Sequence, residues 1–328
     1  APDVKYEEGI EPSGFKITNT RDITFDGNTV AGGDGAGFET LFDVCDETEL
    51  CSHETTEAAM GSNNVHTTLR GVFWNNNGEG DCVKIANFVS WRNIHHCVWV
   101  QTNGGVVVEN VLCVDNWSAL WSWKIGPSPV SHGMDNRYST FKNMVIDQFS
   151  ETLTCNDYII RENTANYKET KMSRPPGTRS GGTYGLMVPQ FAAGAMKWPG
   201  KPLGVAEAYA SLYGGSCFMD IELINYGEKC GRDFYGIGTS SRWSEHQHMM
   251  ELQFVSFDGP ATHRYQFTRP NLGWINIADC VDMDCDGLKR SMLIDLTGDF
   301  LGMPSTYIMA QSEYHYEKWV EESPHYYQ

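Results

Sequence analysis

The sequence predicts an all-β chain wound as a right-handed parallel β-helix with one long irregular insertion. Three observations carry this expectation. Short runs of β-branched and aromatic residues are broken by Gly, Asn and Asp; no segment keeps a helical period; and one phrase, a strand followed by a polar turn, recurs along the chain. A repeat of this size cannot bury its apolar face alone, so the copies must stack.

The copies run in order as Phe88-Val89-Ser90-Trp91-Arg92-Asn93, Val111-Leu112-Cys113-Val114-Asp115-Asn116, Met144-Val145-Ile146-Asp147-Gln148-Phe149, Glu222-Leu223-Ile224-Asn225-Tyr226-Gly227 and Phe254-Val255-Ser256-Phe257-Asp258-Gly259. The first two superpose at a shift of 23 residues. Val114-Asp115-Asn116-Trp117-Ser118 matches Ile146-Asp147-Gln148-Phe149-Ser150 at a shift of 32. In a stack, Val, Ile, Leu and Phe would form inward ladders, and Asn or Asp would take the left-handed turn positions. A Greek-key sandwich is the competing arrangement.

The chain is expected to form one domain over 1–328, interrupted by an irregular insertion at 161–215 that contains Arg174-Pro175-Pro176-Gly177 and Trp198-Pro199-Gly200. Between Arg161 and Lys201 seven basic residues face two acidic ones. The first sixty residues hold fourteen acids and three bases, which accounts for −11 of the net charge of −18. Such a chain is a poor ligand for nucleic acid, whose affinity comes from Lys and Arg. With 41 % hydrophobic and 12 % aromatic residues it has enough apolar side chain to bury a core, and no apolar run reaches the length of a membrane span. Its opening residues lack the basic start and apolar run of a signal peptide, so the chain reads as a mature product or a fragment.

Ten cysteines include two close pairs, Cys45/Cys51 and Cys280/Cys285, none of them CxxC. This pattern suits short disulfide loops better than zinc. With the sequon Asn116-Trp117-Ser118, it predicts a secreted or cell-surface chain glycosylated at Asn116.

Asp282, Asp284, Asp286 and Gly287 form a DxDxDG phrase, the opening of many calcium loops, although Leu293 stands where an EF-hand needs Glu. A turn capped by Asp side chains and closed by Cys280–Cys285 explains the same letters. His246 and His248 would share one face of a strand, with His263 and Arg264 beyond the next strand, and would lack a third metal ligand. His95 and His96 would point to opposite faces. For glycan chemistry the turn acids Asp115, Asp147 and Asp258, with Arg92, would line one side of the stack. The strip Trp74, Trp91, Trp99, Trp117, Trp121 and Trp123 would either stack on sugars or fill the interior. Nucleophile elbows, phosphate loops and Cys/His pairs at catalytic spacing are absent.

The run from Asp279-Cys280-Val281-Asp282 to Lys289-Arg290, then Leu293-Ile294-Asp295-Leu296-Thr297-Gly298-Asp299-Phe300-Leu301-Gly302 and Gln311-Ser312-Glu313-Tyr314, resembles the β-helix region of fibrocystins and fibrocystin-like proteins. So do Gly182-Thr183-Tyr184-Gly185-Leu186-Met187-Val188-Pro189-Gln190-Phe191 and Ala208–Gly214 leading into Phe218-Met219-Asp220-Ile221. The similarity covers residues 70–315. It departs at Asp295-Leu296-Thr297-Gly298-Asp299, where the family has an Asp-x-Asp-Gly-Ser-like phrase, so no role of that second Asp carries over. The resemblance implies a parallel β-helix within a much longer extracellular chain, tethered to or shed from a cell surface, often a ciliary or flagellar one. Kinship with cell-surface hyaluronidases and cell-migration-inducing hyaluronan-binding proteins, and polycystin-type channels as partners, are implied in the same way.

Two functions follow as expectations. One is a non-catalytic extracellular scaffold for adhesion or filament assembly, in which the basic stretch of one copy meets the acidic start of another. The other is a carbohydrate-active enzyme, a polysaccharide hydrolase or lyase working in a groove along the stack. The first is preferred, because the acids available for catalysis are those the turns require.

Overall fold

The structure, a computed structural model, describes residues 13–18, 26–41, 62–75, 85–102, 107–125, 139–158, 182–192, 215–238, 248–266 and 290–311. These residues are almost all strand, as the β-branched and aromatic runs predict. No helix among them is long and apolar enough to cross a membrane.

The chain passes alternately between two sheets. The first holds β1 (Phe15–Thr18), β3 (Ala36–Leu41), β5 (Arg70–Asn75), β7 (His96–Thr102), β9 (Ser118–Ile125), β11 (Gly182–Ala192) and β14 (Arg232–Gly238), with β13 (Gly227–Lys229) and β16 (Tyr265–Gln266) beside β14. The second runs β2 (Thr29–Ala31), β4 (Asn63–His66), β6 (Ile85–Trp91), β8 (Val107–Val114), β10 (Ser139–Asp147), β12 (Gly215–Ile224), β15 (His248–Phe257), β17 (Arg290–Asp295) and β18 (Thr306–Gln311). Among the described strands, only β13–β14 and β17–β18 pair antiparallel. A Greek-key sandwich, built from antiparallel neighbours, is therefore excluded.

The stretch expected to be an irregular insertion, 161–215, needs correction: it contains β11, a strand in the middle of the first sheet, paired with β9 and β14. Its Tyr184, Leu186 and Met187 are buried, and that burial outweighs the many glycines and prolines around it. The remainder of the stretch up to 214 lies outside the described residues.

Aligned positions repeat their chemistry from strand to strand. Ile85, Val108, Phe141, Phe218 and Leu252 stack in one interior column of the second sheet, and Phe88, Val111, Met144, Ile221 and Val255 in the next. Between these columns sits one of left-handed backbone, Asn87, Asn110, Asn143, Asp220 and Phe254, with φ from 52° to 62°. Each strand bends there, and both flanking columns turn inward. Asn suits this conformation better than most residues, and the Asn110 amide donates to Asn87 Oδ1 at 3.2 Å.

A second column is defined by size. The register on either side places Gly37, Gly71, Cys97, Ala119, Gly185 and Gly236 opposite one another in the first sheet, preceded by Gly14, whose N–H donates to Ala36 O. They face the second sheet's column Val30, Val65, Ser90, Cys113, Ile146, Leu223 and Phe257. A Cβ at Gly37 would overlap the Val65 side chain, and one at Gly71 would overlap Ser90 Oγ. The two sheets converge along this line and admit nothing larger than a cysteine or alanine.

Candidate functional site

The acids singled out for chemistry lie at the corner where second-sheet strands end and turn toward the first sheet. Arg92 and Asp115 occupy the left-handed turn position after β6 and β8, at φ 51° and 55°. The residues that follow them form an internal ladder. Asn93 Oδ1 accepts from Thr68 N–H and hydroxyl at 3.0 and 2.7 Å. Asn116 Oδ1 accepts from Asn93 N–H and amide, both at 3.0 Å, and Asn116 Nδ2 donates to Ser90 O at 2.9 Å. Asn116 is also the residue of the sequon noted above. Its side chain is 3 % exposed, and the nitrogen that would carry the sugar is spent inside the corner.

Asp115 is buried, and its carboxylate is taken up by the fold. Oδ1 accepts from Ser150 N–H at 2.7 Å, and Oδ2 accepts from Ser150 Oγ at 2.8 Å and from Arg92 Nε at 3.4 Å. Arg92 in turn donates from Nη2 to Thr152 O and Oγ1 at 2.9 and 3.0 Å, so the guanidinium clamps the 150–152 turn. Asp147 is the last residue of β10 and half-buried. Burial raises its carboxyl above the usual carboxylate range; the hydrogen bond from Asn225 Nδ2 at 2.8 Å opposes that rise, and the neighbouring Asp115 and Glu151 charges add to it. Asp258 stands exposed just past β15, two strand spacings from Asp147, about 9.5 Å along the sheet.

The expected single column of acids is thus displaced by one residue. Asp147 pairs with Val114 at a shift of 33, not 32, and Asp115 aligns with Gln148. Register is decided by stacking Val111 on Met144 and Asn110 on Asn143, and that interior match outweighs the Asp-on-Asp similarity of the turns.

The remaining candidates scatter. His95 and His96 are both buried, with ring centroids 5.4 Å apart, rather than on opposite faces; His95 precedes β7, so strand alternation does not govern it. His263 Nε2 meets Asp233 Oδ1 at 3.1 Å and its ring stacks on Tyr235. His246 and the side chain of His248 lie outside the described residues, as do Asp282, Asp284, Asp286, Cys45, Cys51, Cys280 and Cys285. Among the described residues no three acidic, histidine or cysteine groups converge as a metal site. The tryptophans divide. Trp74 is in the core, Trp91 stacks on His66 and donates to Asn64, and Trp99 and Trp121 pack on the outer face of the first sheet under Arg70, whose guanidinium lies 3.7 Å over the Trp99 ring. Trp117 packs near His95. Trp123's side chain is not described.

Several residues escaped the sequence reading. The disulfides Cys97–Cys113 and Cys155–Cys230 join cysteines 16 and 75 residues apart, and Cys217 is also oxidised. Nothing in the spacing marks these pairs, since they follow the stacking register. A buried ion pair joins Lys142 to Glu109 across β8 and β10 at 3.4 Å. Asp295 accepts the N–H groups of Gly298, Phe300 and Leu301 at 3.0, 3.0 and 2.6 Å, so the departing phrase Asp295-Leu296-Thr297-Gly298 forms a loop organised by its first carboxylate. Asp followed three residues later by Gly was the available signal.

No protein-family model matches the chain, and no solved structure matches it. Among curated proteins it is similar to fibrocystin-L from Mus musculus, 27 % identical over 309 residues, which is 92 % of this chain and 7 % of that protein. It is also similar to fibrocystin-L from Homo sapiens, 27 % identical over 257 residues, 78 % of this chain and 6 % of that protein. Fibrocystin from Canis lupus familiaris is 25 % identical over 299 residues, 89 % of this chain and 7 % of its own length. The chain spans less than a tenth of these relatives, and within that span the fibrocystin-like character read from its motifs extends over most of its residues.

Proposed function

We propose that this chain is a segment of a right-handed parallel β-helix in a fibrocystin-like extracellular protein of the cell surface, and that it serves as a non-catalytic scaffold. The observation that supports this best is the state of Asp115: the corner carboxylate nearest to Arg92 receives three donors and is buried beneath them. A general acid or base needs an oxygen open to substrate. Alternation of strands between two parallel sheets, with a small-residue line where they meet, is the pattern a wound solenoid requires. Disulfides within the stack fit an oxidising compartment. Display on a ciliary surface and attachment to polycystin-type channels belong to the same proposal and rest on the family resemblance.

One observation favours a second reading, action on glycans. Asp147 has a raised carboxyl pKa, and Asp258 lies at a separation within reach of an inverting carboxyl pair. Incubation with hyaluronan, pectin and related glycans, followed by chain-length analysis, decides between them. The scaffold reading expects no shortening. Depolymerisation that disappears in Asp147→Asn would replace it.

A further inference from the structure

In the left-handed column of the second sheet the first four positions are Asn or Asp, which tolerate positive φ. The last is Phe254, at φ 54° and 54 % exposed. Holding a bulky aromatic in this conformation costs folding energy, and a ring left in water recovers little of it by burial. Phe254 is not alone on its face. Strand pairing sets Ile294 of β17 beside Tyr307 of β18, and Met292 beside Met309. Leu293 and Ile308 between them turn into the core, so these four project outward. Tyr307 and Met309 are 63 % and 48 % exposed, and Leu296 is exposed as well. The Phe254 N–H donates to Thr297 Oγ1 at 2.8 Å, which brings Phe254 alongside Leu296.

The charge around this face has one sign. Residues 215–224, 249–258 and 291–311 hold six acids and no Lys or Arg. Asp295 is buried and taken up by its own loop, whereas Asp220, Glu222, Asp258 and Asp299 are exposed. Pairing of β12 with β15 sets Asp220 level with Phe254 and Glu222 beside Ser256, and Glu251 pairs with Ile294. Arg290 opens β17 at the end away from Leu296.

We propose that the outer face of β15, β17 and β18 docks a cationic amphipathic segment of another protein. Its apolar stripe covers Phe254, Leu296, Tyr307 and Met309, and its Lys or Arg side chains meet Asp220, Glu222 and Glu251. Charge selects this occupant. An anionic membrane or a nucleic acid meets like charge here, and so does a second copy presenting the same face. Aromatic and Met side chains supply large, adaptable anchors, and the acids beside them decide which apolar segments are accepted. The strained Phe254 fits this role, since it places a ring where the column elsewhere keeps a short polar side chain. The surface is independent of whether the corner acids act on glycans.

Fluorescence polarisation on the whole chain tests the proposal with three labelled peptides: a Leu/Lys helix of about five turns with its leucines on one face, a scrambled peptide of the same composition, and a Leu/Glu analogue. The amphipathic Leu/Lys peptide is expected to bind, less tightly as salt is added, and the other two to bind about 10-fold more weakly or worse. Phe254→Asn and Tyr307→Ser should each weaken binding about 10-fold, the scale of losing one anchor, and Phe15→Ser at the opposite end of the stack should leave it unchanged. Phe254→Asn should also keep or raise the thermal unfolding midpoint, because it restores the residue the column uses elsewhere; lost binding with retained stability separates docking from misfolding. Absence of binding overturns the proposal. So does equal binding of the scrambled peptide, or indifference to both Phe254→Asn and Tyr307→Ser, either of which would mean only general attraction of a cation to a chain of −18. A lowered midpoint for Phe254→Asn overturns it too, by showing that the ring is kept for stability.

Discussion

Cys97 and Cys113 bridge the two sheets at the level where neighbouring strands place a glycine or alanine against a larger side chain. Their Cα atoms are 5.8 Å apart, and both side chains are buried in the main core. Above and below them, Gly71 faces Ser90, and Ala119 lies level with Ile146. The disulfide thus replaces, at one level, the close contact that glycine permits at others.

Replacing both cysteines with alanine is expected to lower unfolding stability by about 3 kcal/mol, the value for closing a loop of this length. Chemical denaturation of the variant and the parent measures it. Because Cys97 and Cys113 are buried and Cys155 is exposed, mild reductant without denaturant should open Cys155–Cys230 first, as read by mass spectrometry after thiol alkylation.

Gly185 is constrained by Tyr226, whose hydroxyl oxygen occupies the space a Cβ would need. Gly185→Ala should therefore cost about 1–3 kcal/mol by overpacking. Tyr226→Phe, which removes that oxygen from a fully buried site, should be close to neutral alone and should recover much of the loss in combination. A double-mutant cycle that gives purely additive effects would show that the two residues do not compete for the same space.

The two corner acids should respond oppositely to removal of charge. Asp115→Ala strands Ser150 N–H and the Arg92 guanidinium and is expected to cost about 2–4 kcal/mol. Asp147 has a folded pKa above its unfolded value, so it adds stability in the protonated form at low pH, and that contribution is lost as pH rises through the folded value. Asp147→Asn should thus leave acid stability unchanged, raise the midpoint at neutral pH, and flatten the profile between. Thermal melts across pH, compared with the parent, test this sign.

Asn116 is expected to carry no glycan when the chain is produced in a secreting cell. Peptide mass should be unmodified at that position, and Asn116→Ala should destabilise by about 1–3 kcal/mol through the donors it orphans on Asn93 and the acceptor on Ser90.

The sheet content and the copies at a shift of 23 were legible in the sequence, because β-branched runs and Asn/Asp turns follow directly from backbone sterics. The shift between Asp115 and Asp147 was misjudged by one residue. Similarity of turn letters competes there with a requirement no local pattern shows, that Asn143 sit in the same left-handed column as Asn110. β11 was hidden for a related reason. Its Gly185 reads as a strand breaker until the opposing Tyr226 is in place, and its burial depends on partners more than fifty residues away in β9 and β14. The acids at the corner were identified, yet whether a carboxylate is open or consumed depends on Ser150 and Arg92 closing over it, which is a tertiary fact.

The left-handed column of Asn87, Asn110, Asn143, Asp220 and Phe254 also governs where this architecture can accept new sequence. Adding or deleting one residue inside such a strand would shift the bend off its neighbours and rotate an outward side chain into the convergence line. Lengthening a connection between strands disturbs neither. Diversification and engineering are thereby channelled into the connections, and a tag, epitope or foreign loop placed between β8 and β9 would have to respect a three-residue turn, whereas the longer passage between β10 and β11 already separates strands by 34 residues.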